Sequence, residues 1–112
     1  MGLKSQRKGR RGELELTQTL RDYGFPVKPG IAQSYGQEPD LYGLPKIHIE
    51  CKRVERLDLS AAMTQSIRDA GKFNDGYPTV FHRRNREEWR VTMRLDDWIV
   101  LYNAFLSCEQ FK

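Results

Sequence analysis

The chain has only two cysteines and two histidines, no apolar run long enough to span a bilayer, and no acidic residue before Glu13. Cys51 and Cys108 are far apart and form no Cys-x-x-Cys spacing, so both read as reduced thiols rather than as a disulfide framework. Adding His48 and His82 does not assemble the four ligands of a structural zinc site. A membrane helix needs about 20 consecutive apolar residues, and none exist here. The basic N-terminus has no apolar stretch behind it, so no signal peptide is expected and the cytosol is the expected compartment. Internal repeats and low-complexity segments are missing as well. Disulfide-stapled, zinc-finger, membrane and repeat architectures are thereby set aside.

What is present is a chain of 112 residues, 38% hydrophobic, which is enough for one modest core and no second domain. The formal charge is +4, from 19 Lys+Arg against 15 Asp+Glu, and its distribution is uneven. Lys4, Arg7, Lys8, Arg10 and Arg11 all precede Glu13. A second group is His82, Arg83, Arg84 and Arg86, followed by Arg90 and Arg94. Alone, such clusters read as solvated faces. Beside a phosphodiester-cleaving site they read as phosphate contacts.

Residues 38–53, Glu-Pro-Asp-Leu-Tyr-Gly-Leu-Pro-Lys-Ile-His-Ile-Glu-Cys-Lys-Arg, carry the chemistry. Over 46–53 a period of two puts Ile47, Ile49 and Cys51 on one face and Lys46, His48, Glu50 and Lys52 on the other. The first face suits a core and the second suits chemistry. Residues 39–42 read as a short strand, and Gly43-Leu44-Pro45 as the turn of a hairpin that brings Asp40 beside Glu50. Paired carboxylates repel unless a cation sits between them, and hard oxygen ligands suit Mg²⁺, with Mn²⁺ as a substitute. Two carboxylates, a divalent ion and Lys52 are the ingredients of metal-assisted phosphodiester hydrolysis.

Elsewhere, residues 1–8 are expected as a mobile basic arm and 9–112 as the domain. A helix is predicted over 9–23, with Leu14, Leu16, Leu20 and Tyr23 apolar and Gly24 as its stop. A strand over 25–28 and a loop over 29–38 follow. A second helix opens at Leu57-Asp58-Leu59-Ser60, capped by Asp58 or Ser60, and ends near Ala70 before Gly71. Strands are predicted over 77–82 and 88–94, with a turn between them. A last helix over 95–106 is expected to be capped by Asp96 and to carry Trp98, Ile99, Leu101, Tyr102 and Phe105. The order αβββαββα makes an α/β domain with a mixed central sheet flanked by helices.

Pro39-Asp40 followed by Glu50-Cys51-Lys52 resembles the PD-(D/E)xK nuclease signature, whose fold has this element order. Lys8-Gly9, Glu13 and Leu20-Arg21-Asp22-Tyr23-Gly24-Phe25 resemble the opening of archaeal-type Holliday junction resolvases, through about Arg53. The resemblance implies an Mg²⁺-dependent endonuclease acting on branched DNA. Asp40, Glu50 and the Cys51 carbonyl would hold the metal, Glu13 would join through water, and Lys52 would be the catalytic lysine. Glu15 does not match the spacing that Glu13 matches. The family has a catalytic-loop serine shortly before the Pro-Asp, and the resemblance makes Ser34 the candidate for it. Leu59-Ser60 with Gln65 is similar to VRR-NUC modules, in which a glutamine on this helix faces the site. Lys8, Arg10, Arg11, His48, Arg83, Arg84 and Arg86 are the candidate DNA contacts. A homodimer is expected from the two-fold symmetry of a four-way junction. The small size resembles phage-encoded enzymes. The alternatives are a VRR-NUC-like nicking nuclease or a non-catalytic DNA-binding module of the same fold.

Overall fold

The computed structural model describes residues 3–31 and 37–108, and of residues 3–8 the backbone alone. Its order is α1 (Leu3–Asp22), β1 (Lys28–Pro29), β2 (Leu41–Tyr42), β3 (Ile47–Arg53), α2 (Leu59–Phe73), β4 (Tyr77–Arg83), β5 (Arg90–Met93) and α3 (Leu95–Ser107). The expected succession αβββαββα is present. The five strands lie in sequence order, antiparallel except for β3 and β4, which run parallel. A parallel pair needs a crossover, and α2 supplies it.

The alternation along β3 distributes the two helices. Ile49 joins Leu16, Val27, Leu41 and Phe81 in the main core, with Ile47 and Cys51 packed against it, so α1 covers this face. Fully burying side chains such as Leu16 or Ile49 contributes about 1.5–3 kcal/mol each. The opposite face was expected to be left open for chemistry. It lies instead under α2, with His48 at 0% and Glu50 at 3% exposure. Gln65 and Phe73 of α2 reach Lys52 and His48 respectively.

Several boundaries moved for local reasons. The first helix begins at Leu3 rather than at residue 9, so residues 3–8, expected as an arm, continue α1. The strand expected over 25–28 is displaced to Lys28–Pro29. Phe25 is spent in closing α1: its N–H and that of Tyr23 both donate to the Leu20 carbonyl, and Gly24 takes φ 99°. Helix α2 passes the glycine expected to end it. Asn74, at φ 50°, is the left-handed cap, and its N–H donates to the Ala70 carbonyl at 2.8 Å. A mid-helix glycine costs about 1 kcal/mol, and Phe73 packing on His48 carries the helix one turn further. At its start Asp58 caps as expected, accepting from the Ala61 N–H at 3.0 Å.

The cap expected at Asp96 falls at Arg94, which makes no side-chain capping bond; its guanidinium pairs with Asp97 at 3.1 Å. Helix α3 stands off the domain. Of its residues only Asp97 is buried, while Leu95, Trp98, Ile99, Val100, Leu101, Tyr102, Phe105 and Leu106 are all exposed. The molecule is accordingly elongated, 51 × 28 × 25 Å, with a radius of gyration of 14.5 Å. A compact chain of this size has about 13 Å. Among the described residues no helix is long and apolar enough to cross a membrane.

Candidate active site

The antiparallel register that pairs Leu41 with Ile49 sets Asp40 across from Glu50. Asp40 Oδ2 accepts the Cys51 N–H at 2.8 Å, which ties the residue before β2 to the centre of β3. Two residues beyond Glu50 on the same face, Lys52 Nζ donates to Gln65 Oε1 at 3.0 Å and stands 3.9 Å from Glu50 Oε2. Glu13 arrives from the other side of the sheet because α1 comes unusually close to the end of β3. A Cβ at Gly12 would lie 2.5 Å from the Cβ of Arg53, a separation real side chains do not reach, so only glycine permits the approach. Glu13, Asp40, Glu50, Cys51, Lys52 and Gln65 thus line one cavity of about 420 Å³, together with Gly9, Arg53 and Val54.

Burial and crowding set the electrostatics. Asp40 is pushed up to about 8, first by desolvation and then by repulsion from Glu50 and Glu13, against the stabilising N–H of Cys51. Burial likewise raises Glu13, although Arg10 beside it opposes the shift. The Cys51 thiol is raised by burial and by the surrounding carboxylates, which makes it an inert packing group. The folded protein therefore holds a proton on Asp40 that the unfolded chain, with an ordinary carboxyl near pH 4, has released. Because the folded state binds more protons in that window, stability falls as pH rises from about 4 to 8. Asp40→Asn is neutral throughout and escapes this loss. In urea titrations without divalent cations, its stability relative to wild type should climb from pH 5 to pH 9. A difference that does not change with pH would remove the assigned cause.

The other expected site residues divide. Glu15, which the family spacing left out of the site, does not line the cavity and binds Arg53, at 3.2 Å, and Arg83. Arg83 also donates to the Glu87 carbonyl, and Arg84 pairs with Glu87. Arg86 is exposed, at φ 64°. Arg10 donates to the Gly30 carbonyl at 2.6 Å and pairs with Glu13. Arg11 is exposed and borders a second cleft of about 270 Å³ with Glu15, Arg53, Glu55 and Asn85. His48, expected as a DNA contact, is corrected: it is fully buried beneath α2 and touches Asp75 and Glu50. Ser34 and the side chain of Lys8 lie outside the described residues. Gly12, Arg53 and Asp75 were missed by sequence reasoning. Arg53 had a local signal, since it directly follows Lys52 on the strand.

No family model and no curated protein matches the sequence. Among solved structures, the chain is similar to Hjc of Archaeoglobus fulgidus, a Holliday junction resolvase from an archaeal hyperthermophile. The match has a TM-score of 0.56 and 26% sequence identity, and covers 77% of this chain and 72% of that one. The chain has the PD-(D/E)xK nuclease fold.

A PD-(D/E)xK fold implies a divalent cation, and the donor set fits a hard one. Carboxylates from Glu13, Asp40 and Glu50 border an open cavity, where burial first and repulsion second raise Asp40. Among the described residues no group of three or more His, Cys, Asp or Glu side chains that could hold a metal ion is present, so side-chain ligands alone would number at most two carboxylates. Mg²⁺ keeps several of its waters and uses one or two carboxylates, so an open set of this kind suits it better than zinc. Within the nuclease fold, Asp40 and Glu50 are the residues that would hold it.

Proposed function

We propose that this protein is an Mg²⁺-dependent DNA endonuclease, and that its preferred substrate is branched DNA of the four-way junction type. One observation carries the reading: Glu13 from α1, Asp40 from just before β2, and Glu50 and Lys52 from β3 border a single open cavity in a fold shared with a Holliday junction resolvase. A bound divalent cation supplies Lewis-acid polarisation of the phosphate and a lowered pKa for water. Asp40, Glu50 and the Cys51 carbonyl would hold the cation, and Glu13, on the same cavity wall, would join them through water. Lys52, oriented by Gln65, places its ammonium where negative charge grows on the phosphate. Arg10, Arg11, Arg53, Arg83, Arg84 and Arg86 supply phosphate contacts along the strands.

The Lys52–Gln65 contact also favours a second reading, the VRR-NUC-like nicking nuclease, because that likeness rests on a glutamine facing the site. The test is cleavage of labelled four-way, flap, nicked and linear DNA, with Mg²⁺ and with EDTA. Symmetric incisions in the four-way junction that need Mg²⁺ are expected. Preference for flaps or nicks would select the second reading, and junction binding without any cleavage would leave a DNA-binding module.

Symmetric incision needs two sites, and one small domain carries one, so the acting species is a homodimer. Helix α3 is the surface that supports it. A helix with apolar residues around much of its circumference belongs largely in an interior, yet Trp98, Tyr102 and Phe105 stack along an exposed surface, with centroids 5.0 and 6.3 Å apart. A second copy of the same helix is the complementary apolar surface always present at equal concentration. Light scattering at micromolar protein should give the mass of two chains, and Tyr102→Asp should return one. A wild-type monomer, staying at one subunit per junction in titration, would leave only nicking.

A further inference from the structure

His48 is fully buried, belongs to neither the core nor the cavity lining, and has a carboxylate at each ring nitrogen. Its Nδ1 lies 2.9 and 3.0 Å from the two oxygens of Asp75, and its Nε2 lies 3.4 Å from Glu50 Oε1. The Phe73 ring stacks against it at 6.2 Å and 17°. Asp75 comes from the loop between α2 and β4, far from the cavity in sequence. It reaches His48 because Gly76, at φ 133°, lets that loop rest on the start of β3. A Cβ at Gly76 would lie 2.1 Å from the Lys46 carbonyl carbon, and the Tyr77 N–H donates to the Lys46 carbonyl at 2.7 Å. Such a close approach is costly to arrange for a surface loop unless it places something. What it places is Asp75.

We infer that His48 and Asp75 are positioning residues for Glu50, fixing its carboxylate so that one oxygen is held by the imidazole and the other is left toward Lys52 and the cavity. Asp75 anchors the ring through Nδ1, Phe73 sets its plane, and Nε2 restrains Glu50 Oε1. Glu50 Oε2 is the oxygen 3.9 Å from the Lys52 ammonium. A carboxylate ligand at the end of three rotatable side-chain bonds gains affinity for a cation when its orientation is set in advance. Losing such a supporting hydrogen bond typically weakens metal binding or activity 10- to 100-fold. The inference rests on the proposed metal site and adds to it a support reaching from the loop at the far end of β3.

The test is Mn²⁺ binding, measured by calorimetry and by loss of the free-ion paramagnetic resonance signal, on wild type and three variants. His48→Asn keeps a group near Nδ1 and removes the one at Nε2, whereas His48→Gln keeps a donor near Nε2. Asp75→Ala changes a residue that is 24% exposed and spares the buried ring, so it remains informative if His48→Asn fails to fold. Thermal melts show which variants are folded. Expected are a 10- to 100-fold weaker Kd for His48→Asn, a smaller loss of the same sign for Asp75→Ala, and recovery toward wild type for His48→Gln. With saturating Mn²⁺, kcat on junction DNA should recover and KM for DNA should stay unchanged, which a general loss of packing would not produce. Unchanged Mn²⁺ affinity in the folded variants overturns the inference and leaves the metal site standing. No Mn²⁺ bound by wild type overturns both.

Discussion

Asp40→Asn should abolish cleavage, by about a thousandfold or more, while the protein folds and still binds DNA. A thousandfold corresponds to about 4 kcal/mol of transition-state stabilisation, a reasonable share for a residue that would hold the proposed cation directly. Folding survives because asparagine keeps an oxygen to accept the Cys51 N–H that anchors Asp40 to β3. DNA binding without metal should hold near neutral pH, where Asp40 is already protonated, and tighten above about pH 8, where wild type gains a negative charge beside the phosphate. The metal-free variant should also be more stable than wild type at high pH, because burial disfavours the Asp40 charge and Glu50 and Glu13 repel it. Opposite signs for activity and stability mark a residue kept for function at the expense of the fold. Gel-shift, cleavage and urea titrations on one preparation read all three quantities. Undiminished Mg²⁺-dependent cleavage by this variant would sink the assignment of the site.

Glu13→Gln should slow cleavage about a hundredfold, and Glu15→Gln should slow it by no more than a few-fold. The two glutamates are two residues apart on α1, so they point in different directions. Glu13 borders the cavity with Asp40, whereas Glu15 is held by Arg53 and Arg83. A hundredfold loss is about 2.7 kcal/mol and is within the range for a residue supporting a metal site through water. Glu15→Gln should appear instead in stability, lowering it by about 1 kcal/mol, because a partly exposed carboxylate shared by two arginines is worth little more than that. Steady-state rates and urea midpoints for both variants separate the two roles. If Glu15→Gln were the inactive one, the acidic shell would belong to the other face of α1.

Asp40, Glu50 and Lys52 were legible because everything that joins them is local. Strand alternation places Glu50 and Lys52 on one face, and a hairpin with a short turn brings Asp40 across from Glu50. Glu13 was legible only through the family likeness, since its entry depends on α1 touching β3 at Gly12, and nothing in the helical pattern marks that glycine. His48 was misread. As one polar residue on a polar strand face it looked like a surface group, but α2 returns across that face and buries it.

By itself, then, the sequence determined the element order, the central hairpin, the chemistry of its polar face and the apolar character of the last helix. These follow from steric and hydrophobic periodicities acting over a few residues, which the chain carries wherever it folds. Only the tertiary structure decided which groups are in water. It put α2 over His48 and Glu50, paired Glu15 with Arg53 and Arg83 across 38 and 68 residues of sequence, brought Asp75 under His48, and left α3 without a covering surface. Burial is a property of the partner element and not of the residue, and the elements that meet here are far apart along the chain.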